Sequence, residues 1–370
     1  MDNLTHTLFA VTLARTPLGR AGRGTTAVLI LASNAPDIDI VTTAGGASHY
    51  LTWHRGPTHG PLGIVGLGLL MAALVWVGRR ILDSTRPRPD PQPRNASLPM
   101  LALISGIGVL LHILMDLPTS YGTRLLSPFD WHWFSTDWMP IVDVYLLALL
   151  TAGLGFGALS ADARRRNAAI VLALMSANYG IRAVAHQQAL ARAPRVFGPL
   201  LPKPCDGWNG EEGSLERWPH ETRVLAPEPG KRCLVELIAL PTFYSPFSWR
   251  VIAHLSNAYE IRDISLLDAR FRHPPDASEV MWRTTMRVPN IWSPPVLAAA
   301  SGPLFQRFLG FSRLPAVRVA ADPAGAMVRL TDVRFIGPVT FDPAGPRYGL
   351  FTVFVRIGPD GRVLSEGLGP

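Results

Sequence analysis

Charged residues are scarce in this chain. Asp, Glu, Lys and Arg make up only 17% of its 370 residues, whereas a soluble domain carries about 25%. That deficit excludes a disordered, solvating protein and argues against a purely soluble one. Cysteine is limited to Cys205 and Cys233, so at most one intramolecular disulfide can form. No Gly-x-Ser-x-Gly elbow is present. The glycine-rich stretch 63–68 lacks the lysine of a phosphate loop, and helix packing explains it better. The N-terminus has neither a cationic leader nor a small-residue cleavage site, so residues 4–18 do not read as a signal peptide.

What is present is apolar and uneven. Hydrophobic residues reach 48%, the mean hydropathy is +0.20, and most of the excess lies before residue 190. The 34 Pro and 33 Gly are too many for one helical bundle throughout. Runs at 25–40, 61–78, 98–115 and 141–160 are long enough to span a bilayer or nearly so. A fifth, 168–185, is interrupted by Asn178 and Arg182, and the amphipathic run 4–18 carries His6 and Arg15. The expected fold is a multi-pass α-helical membrane domain of five to six helices over 1–190. A Pro-rich linker or irregular segment follows over 191–232, then a β-rich soluble domain over 233–370.

The net charge of +8 does not form a basic stripe interleaved with stacking aromatics, so nucleic acid is not an expected partner. The arginines instead sit between apolar runs: Arg20 and Arg23, then Arg79, Arg80, Arg86, Arg88 and Arg94, then Arg164, Arg165 and Arg166. The positive-inside rule makes these loops cytoplasmic. The loops 41–60 and 116–140, and the C-terminal domain, then face outward. In that compartment Cys205 and Cys233 either pair or remain two unrelated thiols. Short β-type runs separated by Gly, Pro and Asp recur at 233–240, 249–255, 259–267, 279–288, 316–320, 326–335 and 348–357, with a short helix expected over 304–311.

Metal-type ligands collect where apolar runs meet the outer side. Asp37 and Asp39 end one run. His54 and His59 precede the next. His112 and Asp116 share a helix face at i,i+4, and Asp137 and Asp143 flank the entry of another run. Imidazole and carboxylate suit Zn²⁺, Mn²⁺ or Fe, and ionisable groups at a bilayer are costly unless paired or functional. Taken singly, each has a plainer reading: a helix cap, a turn, a satisfied core histidine. Arg124 is either an anion clamp or a salt-bridge partner of Asp116 or Asp137. Trp131, Trp133 and Trp138 fit an interfacial aromatic belt.

The motifs DNLTH (2–6), SNAPDID (33–39), HRGPTH (54–59), HILMD (112–116) and TSYGTR (119–124) occur in that order. This set resembles the YdjM-type family of LexA-regulated, membrane-bound proteins described as metal-dependent hydrolases. The resemblance covers roughly residues 1–150. It implies an integral, multi-pass protein of the bacterial inner membrane with a hydrolytic metal site, and brings no substrate with it. The location of the ligands at a lipid interface makes an ester or phosphodiester of a lipid or envelope precursor the expected substrate class. The resemblance further implies one or two divalent ions, Zn²⁺ first, with His6, Asp37, Asp39, His59, His112 and Asp116 as metal ligands. His54 is expected as a further ligand or general acid/base, and Arg124 as an anion clamp. An ion-binding transporter and a non-catalytic envelope scaffold are the competing readings; the oligomeric state is left open.

Overall fold

A computed structural model describes residues 1–85, 94–156, 161–198, 201–205, 215–219, 232–268, 286–336 and 351–369. The chain divides into two compact units. One comprises 1–44 and 53–183, the other 45–52 and 184–370.

The first unit is helical. Helix α1 (Asn3–Ala14) starts where the Asp2 carboxylate accepts from the Thr5 N–H at 2.9 Å, a side-chain N-cap. Helix α2 (Thr25–Ala32) is short. Pro36 cannot continue an α-helical ladder, and the chain proceeds as a 3₁₀ segment, Pro36–Gly45, bent 43° from α2. Asn34 Nδ2 donates to the Ile30 carbonyl at 2.8 Å and satisfies the backbone at this break. Helix α3 (Ala47–Trp53), all but its last residue assigned to the other unit, leads to the HRGPTH turn, and α4 (Pro61–Thr85) and α5 (Leu98–Asp116) follow in the first unit. Close packing of α4 on α5 needs glycine: a Cβ at Gly68 would lie 3.2 Å from Gly106 Cα, the small-residue contact typical of membrane helices. Buried Phe9, Leu13, Val28, Leu29, Leu101, Ile104 and Leu146 join these helices in one core.

Strand β1 (Trp133–Ser135) lies in the long loop after α5. Helix α6 (Val144–Phe156) begins later than the run at 141 because Asp143 caps it, accepting from the Leu146 N–H at 2.8 Å. Residues 157–160 of that run lie outside the described residues. Helix α7 (Ala161–Phe197) continues through both Asn178 and Arg182. Arg182 is fully buried but neutralised by Asp143, Nη2 to Oδ2 at 2.6 Å, so the charge does not end the helix. The helix also passes residue 190, the expected end of the membrane domain. Among the described residues, three helices are long and apolar enough to cross a membrane: Pro61–Thr85, Leu98–Asp116 and Ala163–Phe197. The bent pair Thr25–Ala32 and Pro36–Gly45 makes up to four.

The second unit is sheet-rich. After a short strand β2 (Glu216–Trp218) come β3 (Leu234–Pro241), β4 (Ser248–Leu255), β5 (Ala258–Ser265) and β6 (Met286–Pro289), an antiparallel sheet in sequence order. Helices α8 (Pro294–Ala299) and α9 (Pro303–Phe311) precede a second antiparallel sheet of β7 (Pro315–Asp322), β8 (Gly325–Asp332), β9 (Thr352–Ile357) and β10 (Val363–Gly369). Parts of the expected strands, 279–285 and 348–350, lie outside the described residues, as do 206–214 and 220–231 of the expected linker. Strand β4 is buried on both faces. Trp249, Val251, Ala253 and Leu255 pack on the small-residue stripe Ala185, Ala189 and Ala193 of α7, while Ile252 joins Leu314, Ala316 and Val333. Arg262 donates to the Val196 carbonyl at 2.5 Å, closing the C-terminal end of α7. Cys205 and Cys233 form a disulfide, with Cα atoms 4.9 Å apart.

Candidate metal centre

Three elements of the first unit converge at one end of the helical bundle. The 3₁₀ segment after α2 brings Asp37, the turn before α4 brings His59, and the last turn of α5 brings His112 and Asp116. One ligand atom from each lies within 4.8 Å of all the others, and together they could hold a metal ion. The two Nε2 atoms of His59 and His112 are 3.3 Å apart. Asp37 Oδ1 is 3.6 Å from each, and Asp116 Oδ2 is 3.7 Å from each. A tetrahedral ion with bonds of 2.0–2.2 Å separates its ligand atoms by about 3.3–3.6 Å.

Hydrogen bonding behind the rings decides what these nitrogens present. His112 Nδ1 is 2.7 Å from the Ser33 carbonyl, which can only accept, so Nδ1 carries the proton. His59 Nδ1 stands 3.4 Å from Asp39 Oδ2 and 3.0 Å from Thr58 Oγ1. A proton there satisfies the carboxylate. Both Nε2 atoms then point lone pairs at each other across 3.3 Å, with two carboxylate oxygens beside them. Arg55 offsets this convergence of acceptors at Asp116 Oδ2 alone, 2.8 Å away, and a cation among the other atoms would relieve the remaining repulsion. The donor set therefore fits a divalent ion, with borderline nitrogen and hard oxygen ligands suited to Zn²⁺, Mn²⁺ or Fe.

The other expected residues stand around this group. Asp39 lies outside the four-atom cluster. Its carboxylate collects the Arg55 N–H at 2.6 Å, the Thr58 hydroxyl at 3.1 Å and His54 Nδ1 at 3.0 Å in addition to His59. His6 stacks on His112 with ring centroids 3.9 Å apart, and its Nε2 reaches Asp116 Oδ1 at 3.2 Å. The Met1 amine also contacts Asp116 Oδ1. His54 is pushed below the ordinary imidazole pKa by burial, against the upward pull of Asp39. Arg124 packs its guanidinium over Trp133 and Trp131 at 4.5 and 5.2 Å, and its backbone N–H donates to the Arg55 carbonyl at 3.2 Å. Burial lowers its pKa to about 10, leaving it cationic at neutral pH. Asp137 bonds Ser135 at 3.0 Å, and Asp143 is committed to Arg182.

Arg55 is the residue that sequence reasoning passed over. It is buried, with Nη2 2.8 Å from Asp116 Oδ2 and Nη1 donating to the Gly122 carbonyl at 2.9 Å. Its φ is +50°, a left-handed conformation that costs a non-glycine residue free energy. Bonds at both ends of the residue hold it there: its N–H to Asp39, its carbonyl from Arg124. The available signal was its place inside HRGPTH, between two histidines, as the sole arginine of the loop 41–60.

The YdjM inner membrane protein family model matches residues 1–189, which contain every residue of this centre. The chain belongs to the YdjM inner membrane protein family. The match covers just over half of the chain and ends before the two four-stranded sheets. No curated protein and no solved structure matches the chain.

Proposed function

We propose that this YdjM-family chain is a membrane-bound, metal-dependent hydrolase acting on an ester or phosphodiester of a lipid or envelope-related substrate. One observation carries the reading: two imidazole lone pairs and two carboxylate oxygens converge within 4.8 Å, at the end of helices apolar enough to cross a bilayer. Asp37, His59, His112 and Asp116 would hold the ion, Zn²⁺ being the first choice. A divalent ion bound there supplies Lewis-acid activation of water at neutral pH.

The chain's own groups prepare that chemistry. Asp39 holds the proton on His59 Nδ1, and the Ser33 carbonyl holds it on His112 Nδ1. Arg55 offsets the charge of Asp116. His54, bonded to Asp39 and 14% exposed, is the proton carrier in this reading; Arg124 holds the Arg55 carbonyl through its backbone N–H, and its guanidinium is the cation that would meet an anionic substrate. The five-to-six-helix topology counts α1 and α6 as membrane elements. It puts the centre and the β-rich unit on the outer side, which the disulfide supports, since such bonds persist in oxidising compartments.

The test is metal analysis of the purified protein together with an esterase and phosphodiesterase panel. Metal with turnover that fails in H59A supports the hydrolase. The buried Arg182–Asp143 pair favours a second reading, an ion-binding transporter, because intramembrane charges mark ion paths. Metal-dependent flux without turnover would select it.

A further inference from the structure

A second polar site lies at the other end of the same helices. A cavity of about 250 Å³ opens between α4 and the segment leading into α5, lined by Trp76, Arg79, Arg80, Asn95, Ala96 and Ser97. On α4, Arg79 and Arg80 stand 18 and 19 residues beyond Pro61; at 1.5 Å per residue they are about 28 Å from the His59 end. That distance is close to the thickness of a bilayer hydrocarbon core, about 30 Å. The cavity therefore sits at the opposite membrane boundary from the metal centre.

Its walls are built. The segment before α5 is strapped to residue 23 by Arg23 N–H to the Arg94 carbonyl at 3.0 Å and Ala96 N–H to the Arg23 carbonyl at 3.3 Å. Arg79 Nη2 donates to Asn95 Oδ1 at 2.5 Å. Arg80 lies over the Trp76 ring, 3.9 Å from its centroid, a cation–π contact that fixes the guanidinium at the cavity edge. Among the described residues, no carboxylate lines the cavity. The nearby Asp83 is occupied by Arg23 at 3.2 Å and Asn95 at 3.1 Å. Two ordered guanidiniums, an interfacial tryptophan and two side chains capable of hydrogen bonding, Asn95 and Ser97, thus surround a space smaller than the roughly 300–1,000 Å³ of a drug-sized site. That volume suits a headgroup fragment.

We propose that this pocket binds the phosphate of an anionic phospholipid headgroup. Arginine is the side chain fitted to bidentate phosphate contact, and basic pockets between membrane helices take such headgroups.

The experiment uses the full chain, delipidated in neutral detergent. Thermal stability is titrated with phosphatidylglycerol, phosphatidylcholine or inorganic phosphate. Phosphatidylglycerol is expected to raise Tm and phosphatidylcholine to leave it unchanged. The phosphatidylglycerol midpoint is expected to move about five-fold in R80Q and about 25-fold in R79Q/R80Q, and to weaken with added NaCl. Arg80 is exposed, so R80Q without lipid should melt with the wild type and decides the matter if the double variant misfolds. Equal protection by both lipids, or an unchanged midpoint in R80Q, would overturn the proposal. Equal protection by inorganic phosphate would overturn the lipid source and assign the pocket to free phosphate.

Discussion

Exchanging Asp39 for Asn keeps the size of the side chain but changes its hydrogen-bond polarity. Asp39 accepts from four groups: the Arg55 N–H, Thr58 Oγ1 and His59 Nδ1 at Oδ2, and His54 Nδ1 at Oδ1. An amide has one accepting oxygen and one donating NH₂. If the NH₂ replaces Oδ2, it faces the Arg55 N–H across 2.6 Å. If it replaces Oδ1, it faces His54. Either way a largely buried donor loses its acceptor, at a cost of about 1–3 kcal/mol, and the proton on His59 Nδ1 is held less firmly. Supporting carboxylates of this kind are worth about 10–100-fold in metal affinity. D39N is therefore expected to bind its ion 10–100-fold more weakly while remaining folded, measured by competition with a chromophoric chelator on detergent-purified protein. D37N, which alters an atom of the cluster itself, should lose more. Wild-type affinity in D39N would refute the assignment of Asp39 to His59, and a loss in D39N larger than in D37N would place Asp39 among the ligands.

Other outcomes follow from the same contacts. R182A leaves Asp143 buried and unpaired and should cost about 3–5 kcal/mol, seen as a lower Tm, whereas R182L/D143L should recover much of it; equal loss in both would contradict the buried pair. A Cβ at Gly108 would lie 2.9 Å from Ala32 Cβ, so G108V should force α2 from α5 and destabilise by about 1–3 kcal/mol; an unchanged Tm would reject that contact. Unreduced protein should show no alkylatable thiol and reduced, unfolded protein two. C205S should cost about 3 kcal/mol for a bond closing a separation of 28 residues. Free thiols in cells would place the β-rich unit in a reducing compartment.

Much of this organisation is legible in the residue order, because apolar length and arginine placement are local properties. The runs at 61–78 and 98–115 became α4 and α5, and the β-type spacing after residue 233 became two antiparallel sheets. Arg182 shows the limit: it reads as an interruption until Asp143, 39 residues earlier in the chain, is known to face it. The same limit applies within the site. His and Asp types at the run ends pointed to a metal centre, but spacing does not tell which carboxylate oxygen faces the ion and which faces an imidazole proton. Asp37 and Asp39 are two residues apart in sequence and occupy different layers of the site. Arg55 escaped notice because its role depends on a left-handed backbone and on Asp116 approaching from another helix.

In the proposed function, the His59 and His112 lone pairs, with Asp37 and Asp116, hold a divalent ion. The direct measurement is elemental analysis of full-length protein extracted from membranes, beside H112A purified in the same way. About one divalent ion per wild-type chain, lost in H112A with the helical signal intact, is the result expected. A metal-free wild-type protein that takes up no Zn²⁺, Mn²⁺ or Fe²⁺ on dialysis, or an H112A variant that retains its full ion, would contradict it.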